Sequence, residues 1–129
     1  MIVVDTSAIV DALIDAPGSD VLRARLVDED LHAPTLLDYE VVAALRGLTL
    51  GHKLSPDRSR DALADFDDLR IRRWPSADAL RARTFALREN LSAYDAAFVA
   101  LAESLDCALV TRDARLARSV GHDAKIRLH

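Results

Sequence analysis

The sequence predicts a parallel α/β fold with helices on both faces of the sheet, and three observations carry that expectation. Short candidate strands recur along the chain, as apolar runs at Ile2–Val4 and Ala108–Thr111 and as mixed segments at Leu69–Arg73 and Lys125–Leu128. Between them lie stretches with apolar residues at three- and four-residue spacing, and such alternation builds parallel strands joined by right-handed crossovers. Val3-Val4 and Leu109-Val110 show no inside-outside alternation, as suits strands buried on both sides.

Each element has its own signal. Ile2–Val4 is the first strand. Ser7 to Asp15 carries Ile9, Val10, Leu13 and Ile14 at helical spacing, and Asp20 to Asp28 carries Val21, Leu22, Leu26 and Val27. Leu31 to Ala33 is a short strand before Pro34. Thr35 to Leu50 is a long helix with Leu37, Val41, Ala44, Leu45 and Leu48 on one face, and Gly51 stops it. Ser55-Pro56 opens a helix to about Phe66, with proline at its first helical position. Leu69 to Arg73 is a strand, and Pro75-Ser76 opens a helix reaching about Leu91. Ser92 starts another, through Leu105. Ala108 to Thr111 is a strand, Asp113 to Val120 a helix, and Lys125 to Leu128 the last strand.

With 129 residues the chain suits one domain spanning positions 1–129. Its 50% apolar and 29% charged residues exclude a disordered chain. The single cysteine, Cys107, excludes an internal disulfide and suits a reducing compartment. Asp5 and Asp11 interrupt any apolar leader, and no window approaches the roughly 20 apolar residues of a membrane helix. A cytoplasmic protein is expected. The net charge of −4 weighs against an extended basic face for nucleic acid, although 15 of the 17 basic residues are arginine.

Four acids stand out. Function in open α/β sheets sits beyond the carboxyl ends of the strands. Asp5 directly follows the first strand, and Asp113 follows Leu109-Val110-Thr111 with one residue between. Taken alone, each reads equally well as a plain helix N-cap. Asp95 lies in Ser92-Ala93-Tyr94-Asp95, which matches a capping box as well as a site. Glu40 has Leu36, Leu37, Ala43 and Ala44 at helical spacing and no Lys or Arg to pair with, so it borders the core and needs a partner. Converging carboxylates repel one another unless a cation sits between them. Oxygen-only ligands favour Mg²⁺ or Mn²⁺, while His32, His52, His122 and His129 lack zinc-ligand spacing.

At these residues the sequence resembles the PIN-domain ribonucleases, and among them the VapC-type toxins of bacterial toxin–antitoxin pairs. The stretches that carry the resemblance are VVDTSAIVDAL, DYEVVAALRG and LSAYDAAFVALAESLDCALVTRDARLA. The resemblance implies a three-layer α/β/α sandwich and a Mg²⁺- or Mn²⁺-dependent endoribonuclease. It places the acidic metal-binding and catalytic positions on Asp5, Glu40, Asp95 and Asp113, and supporting hydroxyls on Thr6 and Thr111. It also implies a cognate antitoxin protein and an RNA substrate, and allows a homodimer. A further acid that some relatives carry two positions after the last is here Arg115, which puts a second metal in doubt.

On this reading Asp5, Asp95 and Asp113 hold a metal, and Glu40 assists a second ion or orients the attacking water. Arg112 and Arg115 flank Asp113 as candidate contacts to the RNA backbone, with plain helix-end residues the alternative. Arg70, Arg72, Arg73 and Trp74 form the densest basic-aromatic patch and receive no role. Two rivals stand beside the nuclease. A haloacid-dehalogenase-type phosphatase would need a second aspartate where Asp5-Thr6-Ser7 has a serine. A non-catalytic PIN-like module binding RNA or protein would have no use for four converging carboxylates.

Overall fold

In the computed structural model, which describes residues 1–129, the chain folds around a five-stranded parallel sheet. The strands are β1 (Ile2–Val4), β2 (Leu31–Pro34), β3 (Ile71–Trp74), β4 (Ala108–Thr111) and β5 (Lys125–Leu128). Their spatial order is β3-β2-β1-β4-β5. The helices are α1 (Thr6–Leu13), α2 (Asp20–Asp28), α3 (Leu36–Leu50), α4 (Pro56–Asp68), α5 (Asp78–Ala86), α6 (Ala93–Leu105) and α7 (Ala114–Ala117).

The order of the strands dictates the layers. From β1 through β2 to β3 the chain steps one way across the sheet, so right-handed crossovers put α1 to α4 on one face. From β3 to β4 and on to β5 it steps the other way, which puts α5, α6 and α7 on the opposite face. The packing agrees: α1 contacts α2, α3 and α4, while α5 packs on α6 and α6 lies over β1, β2 and β4. The result is a three-layer α/β/α sandwich. Its core contains Val3, Val4, Leu109 and Val110, each fully buried between the layers.

Three of the departures from expectation have clear local reasons. β3 begins at Ile71 rather than Leu69, because α4 runs on to Asp68 and the Leu69 N–H caps it on the Phe66 carbonyl. α5 covers only Asp78–Ala86, and the residues that follow form turns in which Leu87 N–H reaches back to both Arg83 and Thr84 carbonyls. α7 is four residues long rather than eight. There the Ser119 hydroxyl donates to the Leu116 carbonyl at 2.6 Å, the acceptor a continuing helix would give to Val120. Gly121 then turns the chain at φ +89°, a left-handed conformation that favours glycine, and a β-carbon there would displace the Asn90 side-chain amide. No helix is long and apolar enough to cross a membrane.

Candidate functional site

Sheet order reverses between β1 and β4, and beyond the carboxyl ends of those strands lies a cleft of about 560 Å³. Such switch points are where open α/β sheets bind ligands. Asp5, Glu40, Asp95 and Asp113 all line it, together with Thr6, Ser7 and Asp11. Residues that lie up to 108 positions apart in sequence are brought to one wall system by β1, α3, α6 and the β4–α7 junction.

Asp5 is the best-held of the four. It leaves β1 in extended conformation and caps α1, its Oδ1 accepting the Ala8 N–H at 2.9 Å and the Ser7 hydroxyl at 2.7 Å. Its Oδ2 accepts the Thr111 hydroxyl at 2.5 Å. Only 6% of the residue is exposed, and burial pushes its carboxyl above the usual aspartate range. The hydrogen bonds from Thr111, Ala8 and Ser7 oppose that shift, and the negative charge of Asp113 adds to it. Thr111 is fully buried and also accepts the Asp113 N–H at 2.9 Å. One hydroxyl thereby ties the two strand-end acids together.

Glu40 reaches in from α3, where Leu37 and Val41 anchor the helix in the core. Its Oε1 accepts the Thr6 hydroxyl at 2.6 Å, a bond that links α1 to α3 across the cleft. Asp95 sits in the first turn of α6, its N–H donated to the Ser92 hydroxyl at 3.2 Å. The return bond that would complete a capping box does not form. Its carboxylate instead accepts the Arg115 guanidinium, Nη2 to Oδ2, at 3.1 Å. Asp113 caps α7, with Oδ1 accepting the N–H groups of Arg115 and Leu116, while its Oδ2 accepts the same Arg115 Nη2 at 3.2 Å. Asp113 and then Asp95 hold the Arg115 guanidinium more firmly protonated than an isolated arginine.

A family model for the PIN domain matches residues 2–121. The chain belongs to the PIN-domain family. The chain is similar to Ribonuclease VapC12 of Mycobacterium tuberculosis, 38% identical over 128 residues that cover 99% of this chain and 98% of that protein. Ribonuclease VapC9 of the same organism is 44% identical over 116 residues, covering 90% of this chain and 88% of that one. Among solved structures, a toxin-antitoxin complex from Klebsiella pneumoniae contains a chain of the same fold, with a TM-score of 0.61, 21% identity and coverage of 92% and 91%.

As placed in this PIN domain, no three acids come close enough to a common point to hold an ion together. The four share a cleft without forming a closed cage. Hydroxyls hold Asp5 and Glu40, and Arg115 bridges Asp95 and Asp113, offsetting the repulsion between them. The chemistry of the donors nevertheless suits a hard divalent cation: every candidate ligand is a carboxylate oxygen. Asp5 and Glu40, moreover, have no Lys or Arg partner among the ion pairs of the chain. A second cleft of about 530 Å³, beside Trp74, Leu80 and Phe85, has no carboxylate, histidine or cysteine in its lining.

The structure parts the two arginines around Asp113. Arg112, a candidate contact to the RNA backbone, makes its contacts inside the domain. Its Nε donates to Asp11 at 2.8 Å, and its Nη atoms donate to the carbonyls of Pro17, Gly18 and His129. Four of its five N–H donors are thus engaged, and it acts as a tie between α1, the following turn and the C-terminus. Ser7 is the residue the sequence reading undervalued. Beyond holding Asp5, its hydroxyl accepts the Arg112 N–H at 2.9 Å and lies 3.2 Å from that of Thr111. The signal was present in the two hydroxyl residues directly after Asp5. Ser7 also stands where a haloacid-dehalogenase-type loop would need its second aspartate.

Proposed function

We propose that the chain is a metal-dependent endoribonuclease, the toxin of a toxin–antitoxin pair whose antitoxin blocks this cleft. The observation that carries the reading is the meeting of four acids from distant parts of the chain in one cleft at the switch point of the sheet. Membership among proteins named ribonucleases supports it. Mg²⁺ or Mn²⁺ is the ion the oxygen donors favour.

Asp5 would hold the ion, with the other acids of the cleft completing its ligands and Glu40 able to orient the attacking water. A divalent ion bound there lowers the pKa of its water and offsets charge on the phosphoryl oxygens. Thr111 and Ser7 fix the Asp5 carboxylate, and Thr6 fixes that of Glu40. Such supporting bonds set where each oxygen points. Glu40, half-buried and joined to α1 only through Thr6, keeps its other oxygen free to accept a proton from water. The Arg115 side chain lies at the rim with a phosphate-compatible guanidinium.

The test is cleavage of an RNA pool by the purified, refolding-checked protein with Mg²⁺ or Mn²⁺. Cleavage that stops on adding EDTA and is absent in Asp5→Asn supports the reading. Cleavage that continues in EDTA, or persists in Asp5→Asn, overturns it.

A further inference from the structure

The geometry points to the Arg115 guanidinium as a built-in second cation, so that the acidic cleft takes one divalent ion per chain. This rests on the metal-dependent reading above and concerns how that cleft divides its positive charge. Of the four acids, two carry a protein cation and two carry none. A single nitrogen, Arg115 Nη2, lies 3.1 Å from Asp95 Oδ2 and 3.2 Å from Asp113 Oδ2. Asp5 and Glu40 have only hydroxyl and amide donors.

The arrangement is built from the backbone outward. Arg115 is the second residue of α7, and its own N–H caps on Asp113 Oδ1 at 2.8 Å. That bond fixes the first turn so that the side chain folds back over the carboxylate that starts its helix. With Oδ1 committed to two backbone N–H groups, Asp113 has one oxygen left to offer, and Arg115 occupies it. An ion bridging Asp95 and Asp113 would have to expel a tethered guanidinium and then share the space with it. An ion near Asp5 and Glu40 meets no such rival.

The same guanidinium remains able to meet substrate. Its side chain is 72% exposed, and beyond the two acids it makes no other side-chain bond. Three of its five N–H donors therefore have no protein partner, which leaves them free for a phosphoryl oxygen. Arg115 is thus a positioning residue for the acids on one side and a phosphate contact on the other.

Counting Mn²⁺ on the full-length, metal-stripped protein tests this, by equilibrium dialysis together with electron paramagnetic resonance. The wild-type chain is expected to bind one ion with the six-line signal of an isolated Mn²⁺. Arg115→Glu is expected to bind two, with a spin-coupled signal, because ions sharing carboxylates sit roughly 3.5–4 Å apart. Arg115→Gln, which removes the charge at similar size, should tighten the first ion about three- to tenfold. Two ions in the wild-type chain, one ion in Arg115→Glu, or unchanged affinity in Arg115→Gln would each overturn the inference and leave the metal reading standing. A wild-type chain that binds no ion, or an Asp5→Asn variant that keeps it, sinks the metal reading and this inference with it.

Discussion

Asp5→Asn removes one negative charge from the centre of the cleft and leaves the shape of the side chain almost unchanged. In the wild-type chain that carboxylate is 6% exposed and held by three donors, with burial raising its pKa. A carboxyl whose folded-state pKa lies above its unfolded value weakens the fold when ionised. That penalty is absent below the unfolded pKa, grows as pH rises toward the folded pKa, and is complete above it. Metal-free wild type should therefore gain stability on mild acidification through that window, and Asp5→Asn should lack that gain. Asparagine can still accept from Ala8 and Ser7, and the Thr111 hydroxyl can turn to accept from the new amide. The metal-free variant should stay within about 1 kcal/mol of wild type at neutral pH.

Metal reverses the comparison. An ion that binds only the folded chain, at a hundred times its Kd, adds about 2.7 kcal/mol. For a domain of 129 residues each kcal/mol moves Tm by about 3–5 °C. Saturating Mn²⁺ should thus raise wild-type Tm by about 10 °C and leave Asp5→Asn nearly unmoved. Thermal melts followed by circular dichroism, in Mn²⁺ and in EDTA, read both effects on one sample. An equal Mn²⁺-induced rise in the two proteins would refute Asp5 as a ligand, whatever the cleavage assay shows.

Other expected outcomes follow from the bonds around Asp5. Thr111→Val strips Asp5 Oδ2 of a donor and the Asp113 N–H of an acceptor. It should cost about 2–3 kcal/mol in urea denaturation and slow cleavage roughly 10- to 100-fold; an unmoved midpoint speaks against the tie. Glu40→Gln keeps an acceptor for Thr6, so its melting curve should match wild type while cleavage falls about 100-fold. Full activity there removes Glu40 from the machinery. Arg112→Met breaks a half-buried pair with Asp11 and three carbonyl contacts and should cost about 2–4 kcal/mol. Its cleavage rate per folded molecule should be unchanged, and a rate loss at full stability would return Arg112 to RNA binding.

Much of the fold was legible because local and global signals agree. Val3-Val4 and Leu109-Val110 read as doubly buried strands and are fully buried. Ser92 reads as an N-cap and accepts the Asp95 N–H. At α7, where the reading failed, a side chain competed with the backbone. Nothing in the apolar pattern of residues 114–120 warns that the Ser119 hydroxyl will take the Leu116 carbonyl and end α7 early. The acids were legible from their places after strands and from the absence of a cation near Glu40. The bridge from Arg115 to Asp95 was not, since it joins residues 20 positions apart on two helices, and only tertiary placement decides where a long flexible side chain lies.

Arg112 and Arg115 show how strand alternation assigns such roles. Successive residues of a strand point to opposite sides. Thr111 turns its hydroxyl onto Asp5, so Arg112, the next residue, must leave on the other side, toward Asp11 and the Pro17 and Gly18 carbonyls. Asp113 returns to the cleft and starts α7. Helical geometry then carries the Arg115 side chain back over the acid that caps it. The register of β4 on β1, which pairs Val4 with Val110, therefore fixes more than the sheet. Slipping β4 by one residue would aim position 112 at Asp5 and bury an arginine where a hydroxyl now sits, and turn Thr111 away from the acid. Fully buried Leu109, Val110 and Thr111 resist that slip, because it would drive Arg112 into the space the core reserves for small or apolar side chains. Packing of the central strands is thus what keeps one arginine as a structural tie and delivers the other to the acids.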